Sequence, residues 1–190
     1  VALAFVFYSA SKSRVSAVAE VNGVKITRQD INEIALTVPP SLKETVTGSD
    51  LLEQAINFEI VRQEARKIGI TITDEEVEDS IDYSLQQAGL TREDLLQSVK
   101  QQKLDWNTLF NAYKKQLLSL RFMNETIMKD ISVEEDEVRA FYEEYSELVS
   151  LPYEDVRDDI SNTLLIAKSQ QILGEWLEQK RAEYEIVRYA

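Results

Sequence analysis

Residues 15–27, VSAVAEVNGVKIT, decide the fold. Apolar residues alternate imperfectly with others over residues 15–21, and a second short alternating segment covers 24–26. Asn22-Gly23 stands between them, and this dipeptide strongly favours a tight turn because both residues tolerate a positive φ. The stretch therefore predicts a β-hairpin.

The hairpin needs a further strand, because two isolated strands are only marginally stable in water. Residues 184–189, YEIVRY, alternate in the manner of a strand. We expect this terminal strand to pair with the hairpin. That pairing would bring both ends of the sequence together and make residues 15–190 one domain.

The segment between the strands is predicted to be helical. Capping boxes, in which a Ser or Thr precedes an acidic residue by three positions, begin at Thr27, Thr73, Thr91 and Ser132. Ser49 or Asp50 is the expected cap of a further helix that ends at Gly69. The fold class is therefore mostly α with a small β element (α+β).

Two longer helices show apolar stripes at helical spacing. One is expected over residues 103–129, with a stripe at Trp106, Leu109, Phe110, Tyr113, Leu117 and Leu120. The last one is expected to extend from Pro152 to about Ala182, with a stripe at Val156, Ile160, Leu164, Ala167, Ile172 and Trp176.

The composition excludes several classes of enzyme. The chain of 190 residues has no His and no Cys, so no imidazole base, thiol nucleophile or disulfide can form. It has 5 Gly and contains neither nucleotide-binding glycine motif. Its net charge of −13 argues against nucleic acid or an anionic membrane surface as the main partner.

The first eight residues, VALAFVFY, are apolar, and a polar stretch with Lys12 and Arg14 follows them. The run is too short to cross a bilayer, which requires about 20 residues. We expect residues 1–14 to be the remnant of a signal peptide or membrane anchor with its linker. The alternative is a short strand or helix that packs on the core.

The order of these elements resembles that of the SurA-type extracytoplasmic chaperones, which include PpiD- and PrsA-like proteins. The resemblance extends over nearly the whole chain from about Ala17. The segments that carry it are 18–27, 52–60, 64–70, 73–77, 132–142, 153–160 and 176–187. It implies a helical chaperone domain with the N-terminal hairpin paired to the C-terminal strand.

One departure from the family concerns catalysis. Many members carry a parvulin prolyl-isomerase domain between the helix that contains Phe141-Tyr142 and the closing helix. Here only residues 146–151 separate Tyr145 from Pro152, so there is no parvulin insertion between 145 and 152. The resemblance therefore implies a chaperone module without isomerase activity, and not an enzyme.

Two sets of apolar residues are candidates for binding client polypeptides. Leu118 and Phe122 lie one turn apart and away from the aromatic stripe, with Met123 and Met128 nearby. Met suits promiscuous apolar contacts because its side chain is flexible. Either a second helix covers this side, or these residues line an apolar groove.

The second set lies in the Pro-bounded loop after the first helix. Leu36, Val38 and Leu42 are apolar and could contact a client or a second copy of the chain. An ordinary connecting loop is the alternative.

The many carboxylates are predicted to have structural roles. Most stand in first helical turns, where the helix macrodipole stabilises negative charge. No calcium-loop spacing is present, so no metal and no cofactor is expected. A glycosidase would require two carboxyls facing each other across a cleft.

We therefore predict an ATP-independent chaperone that binds unfolded or partly folded polypeptides in an apolar helical cradle. The expected location is extracytoplasmic, in the periplasm or on the outer face of the cell membrane, with an N-terminal anchor as the only membrane contact. No nucleic acid partner is expected, and a homodimer is possible. The alternative is an interaction or scaffold module with one defined partner or with self-association.

Overall fold

Seven helices and a three-stranded antiparallel sheet make up residues 17–145 and 151–189, the part of the chain that the computed structural model describes. The elements are β1 (Ala17–Val21), β2 (Val24–Thr27), α1 (Arg28–Thr37), α2 (Gly48–Lys67), α3 (Asp74–Ala88), α4 (Arg92–Gln101), α5 (Trp106–Phe122), α6 (Glu135–Glu144), α7 (Tyr153–Glu183) and β3 (Ile186–Arg188). This confirms the predicted fold class. The predicted anchor remnant at 1–14 lies outside the described residues.

The sheet has the strand order β2-β1-β3, so the first strand is central. The hairpin turn places Asn22 at φ 48° and Gly23 at φ 80°, the positive values that this dipeptide favours. Strand β3 pairs with β1 with Ile186 opposite Val21. The predicted pairing of the terminal strand with the hairpin is therefore confirmed.

Asn22 also fastens the turn to the end of the chain. Its backbone N–H donates to the Glu185 carbonyl at 2.8 Å, and its side-chain Oδ1 accepts from the Glu185 N–H at 2.9 Å. Its Nδ2 lies 3.4 Å from Gln63 Oε1 on α2. One turn residue thus connects the hairpin, the terminal strand and the second helix.

One face of the sheet packs on α1 and α2. Val21, Ile56 and Ile60 are completely buried there, and Tyr184 closes the cluster from the end of α7. Burial of a Val or Ile side chain contributes roughly 1.5–3 kcal/mol. This first cluster therefore attaches the sheet firmly to the helices.

Helices α1 to α4 begin with the capping chemistry that the sequence predicts, with one shift. Each has a Thr cap that accepts a hydrogen bond from the backbone N–H three residues on, at Thr27, Thr47, Thr73 and Thr91. The prediction of Ser49 or Asp50 as the cap of α2 was wrong. The cap is Thr47, and Asp50 is its reciprocal partner, which accepts a hydrogen bond from the Thr47 N–H.

The start of α6 also differs from the expectation. Its cap is Glu134, whose N–H donates to the Glu137 carboxylate at 2.8 Å. Ser132 lies outside the helix and donates its hydroxyl to Glu134. The box is therefore shifted by two residues and uses a carboxylate in place of the hydroxyl.

Helix α5 is shorter than the predicted 103–129. Lys103 has φ 53°, which a helix does not allow, and Asp105 caps the helix by accepting from the Thr108 N–H at 3.0 Å. A wide π-helical turn at Met123–Ile127 and a 3-10 turn at Met128–Asp130 follow. Leu120 is 54% exposed and does not belong to the buried stripe.

Four residues of the predicted stripe of α5 are partly buried against α3 and α4, whereas Leu109 does not belong to this cluster. Trp106, Phe110, Tyr113 and Leu117 pack against Ile72, Val77 and Ile81 in a separate cluster. Leu118 belongs to this cluster and also to one formed by Val61, Ala65, Ile70, Phe122 and Ile127. Trp176 joins the latter to the sheet cluster. The three apolar clusters are therefore continuous.

Helix α7 has 31 residues, which corresponds to about 46 Å. Ser169 is buried in the middle, and its hydroxyl donates back to the Leu165 carbonyl at 2.7 Å. Beyond it the inner side carries Leu173, Trp176 and Leu177. Ala167 and Ile172 are exposed, so their assignment to the inner stripe was wrong.

The two ends of α7 have different neighbours. Helix α6 packs on α7 through the buried Val138 and an edge-on contact between Tyr142 and Tyr153, whose ring centroids are 5.3 Å apart. The C-terminal half lies on α2 and on the turn after α5. None of the helices in the described ranges combines the length and apolar character that a bilayer crossing requires.

Helices α1 and α5 meet around a buried carboxylate. Glu33 is 3% exposed, and its carboxylate lies 2.7 Å from Lys115 Nζ. Gln29 Nε2 and Asn111 Nδ2 donate to it at 3.0 and 3.1 Å. Asp30 is a second partner of Lys115, at 2.9 Å.

The pKa of Asp30 reflects this junction. Burial alone would raise the pKa of its carboxyl, but hydrogen bonds from Thr27 and Lys115 hold the pKa below its ordinary value. Asp30 therefore remains ionised and, with Glu33, surrounds Lys115 with negative charge.

Tyr184 fixes the end of α7 to α2. Its hydroxyl donates to Glu64 at 2.6 Å and accepts from Lys67 Nζ at 3.0 Å. Burial raises the pKa of this hydroxyl, and the bond to Glu64 raises it further, so the group keeps its proton.

We predict that Tyr184→Phe lowers the free energy of unfolding by about 1 kcal/mol, because the ring stays packed while Glu64 and Lys67 lose the hydroxyl to which they are bonded. Urea unfolding followed by circular dichroism measures the change. Tyr83→Phe is the control, because Tyr83 is 64% exposed and lies on α3. Equal losses in both variants would contradict the proposed role of the hydroxyl.

We predict that Lys115→Met costs about 3 kcal/mol, because Glu33 would remain buried without a counter-charge. The double variant with Glu33→Gln should recover most of the loss, since it removes the unpaired charge. Lys114→Met tests a neighbouring lysine whose pair with Asp74 is exposed, and it should cost at most about 1 kcal/mol. A double variant no more stable than Lys115→Met alone would overturn this account.

Candidate functional site

An open groove lies where α1, α2, α5 and α7 meet, and we call it the central groove. Its volume is about 350 Å³, within the range of about 300–1,000 Å³ that is typical of ligand sites. Its lining consists of Ile34, Thr37, Gln54, Asn57, Phe58, Val61, Lys115, Gln116, Ser119, Met123, Leu173 and Leu177.

Helical periodicity explains which side chains reach the central groove. Helix α2 contributes Gln54, Asn57, Phe58 and Val61, which are spaced by three, four and seven positions from the first. Gln116, Ser119 and Met123 follow the same spacing along α5 and its π-helical turn. Two helices thus each present one continuous row to the groove.

Helix α7 contributes two apolar side chains to the wall of the central groove. Leu173 and Leu177 line the groove and also pack against the cluster of Val61 and Phe122 behind it. The groove is therefore a surface opening of the same apolar layer that holds α7 on α2.

Lys115 is the single charged residue in the lining of the central groove. Its Nζ is paired with Asp30 and Glu33, and it lies 5.3 Å from the centre of the Phe58 ring. A cation near an aromatic face is attracted by the ring. The two carboxylates leave this cation without an excess positive charge.

A second groove lies beside the loop that follows α1, and we call it the loop groove. It has a volume of about 330 Å³. Leu36 and Val38 line it together with Ala35, Lys43, Val46 and Leu51. Leu42 is 50% exposed in the 3-10 turn at Pro40–Leu42 but does not line this groove.

The candidate residues on α5 separate into different environments. Met123 lines the central groove. Phe122 is 2% exposed, and its ring centroid lies 5.1 Å from that of Trp176, so α7 covers it. Leu118 packs between two apolar clusters, whereas Met128 is half-buried and lines neither groove.

Sequence reasoning missed most of the lining of the central groove. Phe58 lies on α2, whose apolar residues cover more than one face. That distribution indicates that α2 has neighbours on several sides, and it is the one feature of the sequence that points to Phe58. Leu173 and Leu177 follow the exposed Ile172, and nothing local in the sequence shows which of these positions faces inward. The groove is formed by four helices that are distant in sequence.

The carboxylates do not form a comparable site. In the capping boxes they accept hydrogen bonds from cap N–H groups, as Glu76 does from Thr73 at 2.7 Å. An ion pair between Glu76 and Arg121, together with this bond, lowers the pKa of Glu76 to about 2. Residues 17–145 and 151–189 contain no group of three acidic side chains that could hold a metal ion.

A curated relative is the chaperone SurA of Bordetella avium (strain 197N). It is 26% identical over 120 residues, which are 63% of this chain and 23% of the relative. The match therefore spans about a quarter of that protein's length.

A solved structure matches nearly the whole fold, with a TM-score of 0.66. It covers 92% of this chain and 99% of its own, at 13% sequence identity. It is described in work on the virulence factor PEB4 and the periplasmic protein Cj1289 as two structurally related SurA-like chaperones of Campylobacter jejuni. At this identity the likeness shows a shared fold.

The family model of the SurA-like N-terminal domain matches residues 1–123, which is more than half of the chain. The hairpin, helices α1 to α5 and thus three of the four helices that line the central groove fall within that match. The chain therefore belongs to the family of SurA-like N-terminal domains.

Proposed function

We propose that this protein is a chaperone that binds non-native polypeptides in the central groove without ATP. The observation that carries the proposal is an open, mostly apolar groove in a domain of the SurA-like family. Open apolar surface of this kind usually marks an interaction site. We assign client contact to Met123 in the central groove and to Leu36 and Leu42 around the loop groove. Leu118 and Phe122 support the central groove from behind, as Val38, which is 7% exposed, supports the loop groove.

The expected binding is weak and reversible. Burying one client side chain of the size of Leu contributes roughly 1.5–3 kcal/mol. Association itself costs at least about 4 kcal/mol. A client therefore needs several such contacts, and it leaves when folding withdraws its apolar residues, so no nucleotide is required.

The surface charge supports this function. The chain carries 34 acidic against 21 basic residues. A high net charge keeps proteins soluble and separate. A complex of this domain with an aggregation-prone client would remain soluble for the same reason.

We further propose an extracytoplasmic location, supported by the family resemblance and by the description of one related fold as periplasmic. Anchoring through residues 1–14 stays a prediction, which the sequence encoded upstream of Val1 would test. A homodimer likewise stays a prediction.

We predict that the protein suppresses the aggregation of several unrelated unfolded proteins without ATP, measured by light scattering. Met123→Gln should weaken this suppression several-fold, because an amide replaces an apolar side chain of similar length in the groove. Met128→Gln is the matched control, since Met128 is also half-buried but lies outside both grooves.

The outcomes of this experiment distinguish two binding surfaces and two functions. A larger loss for Met128→Gln would place the client near the 3-10 turn and contradict our assignment of the central groove. If the protein suppresses no aggregation but binds one native partner or a second copy of itself, it is an interaction module and not a chaperone.

We predict that this chain does not accelerate prolyl isomerisation. It has no His or Cys, and residues 145–152, which separate α6 from α7, leave no space for a parvulin domain there. The measurement is the refolding rate of a protein limited by a proline isomerisation, with a parvulin as positive control. A rate that rises with the concentration of this chain would overturn the prediction.

A further inference from the structure

Two glutamine side chains extend into the apolar lining of the central groove. Gln54 comes from α2 and Gln116 from α5, so the two amides approach the groove from different helices. Some glutamines of the described residues bond within the chain, as Gln63 does to Glu59 and to the Val21 carbonyl, whereas others such as Gln87 do not. Gln54 and Gln116 are exposed and have no side-chain hydrogen bond within the described residues, and they differ from the other unbonded glutamines because they line the central groove.

We propose that the central groove binds an uncharged apolar client segment in an extended conformation, and that Gln54 and Gln116 hydrogen-bond to its main chain. This inference rests on the proposed function and states which class of polypeptide the groove selects.

The chemistry of the amide supports recognition of a main chain. A glutamine amide offers a donor and an acceptor together, as a peptide group does, so it can pair with a peptide group whatever the client's side chains are. An extended segment presents free N–H and C=O groups, whereas a helix has bonded most of them internally. The groove therefore favours unfolded over helical segments.

The apolar surroundings make these amides more selective. A client that enters the groove displaces water from around the two amides, and a polar group that is then left without a partner weakens binding. Clients that supply main-chain partners avoid that cost. Asn57 differs from the glutamines, because its Oδ1 already accepts from Arg181, which fixes its position.

The charge of the lining supports an uncharged occupant. Lys115 is its one charged residue, and it is already paired with two carboxylates, Asp30 and Glu33, which do not line the groove. A charged client side chain in this groove would lose water and find no free counter-charge. An uncharged apolar segment has no charged group to desolvate and so avoids this cost.

Gln54→Leu and Gln116→Leu test the proposal through the sign of the effect. If the amides bond to the client, each variant weakens binding about five-fold, the equivalent of one hydrogen bond of about 1 kcal/mol. If the groove is only an apolar surface, each variant gains apolar area and binds more tightly. The measurement is fluorescence anisotropy with a labelled, uncharged peptide of alternating Val and Thr. Gln87→Leu, at an exposed position of α3, is the control.

A second comparison uses the peptide itself. Replacing its alternate amides by esters removes N–H donors but keeps its shape and apolar surface. The ester peptide should bind more weakly to the wild type and equally well to the double Leu variant.

Tighter or unchanged binding by both Leu variants overturns the inference while the chaperone proposal stands. Equal loss of ester affinity in the wild type and the double variant also overturns it, since the lost bonds would then involve other groups. If the wild type neither binds the peptide nor suppresses aggregation, the proposed function fails as well.

Discussion

The pairing of β3 with β1 is the contact on which the rest of the structure depends. It joins segments from opposite ends of the chain, and Asn22 bonds to Glu185 through both its backbone and its side chain. This closure holds the end of α7 against α2, where Tyr184 bonds to Glu64 and Lys67. Because Leu173 and Leu177 on α7 form one wall of the central groove, this closure helps to hold that wall in place. Folding and function are thus coupled through the most distant contact in the sequence.

A second constraint is the buried charge between α1 and α5. Glu33 is removed from water, and it is stable there because Lys115, Gln29 and Asn111 satisfy it. The same Lys115 lines the central groove. The ion pair therefore connects α1 with α5 and also affects the groove, where the one charged lining residue is already paired with two carboxylates. A chain with a net charge of −13 thus has a groove with a single, paired charge in its lining.

Local patterns in the sequence were sufficient for much of the fold. The Asn22-Gly23 turn, the Thr27, Thr73 and Thr91 caps and the terminal strand follow from interactions between residues close in sequence, and the structure confirms them. The caps at Thr47 and Glu134 lie two or three residues from the predicted ones, because several neighbouring hydroxyls and carboxylates can cap a helix. Only the geometry of the preceding chain selects among them.

The sequence by itself determined the helical class, the closing strand pair and the absence of imidazole or thiol chemistry, because these depend on residue type and short-range spacing. The tertiary structure decided which of Phe122 and Met123 is buried and which lines the central groove. They are adjacent in the chain, yet α7 covers the first and leaves the second in the groove. The rotation of α7 about its axis also decided that Leu173 and not Ile172 faces inward. Such choices arise from packing between helices far apart in sequence, which no local pattern encodes.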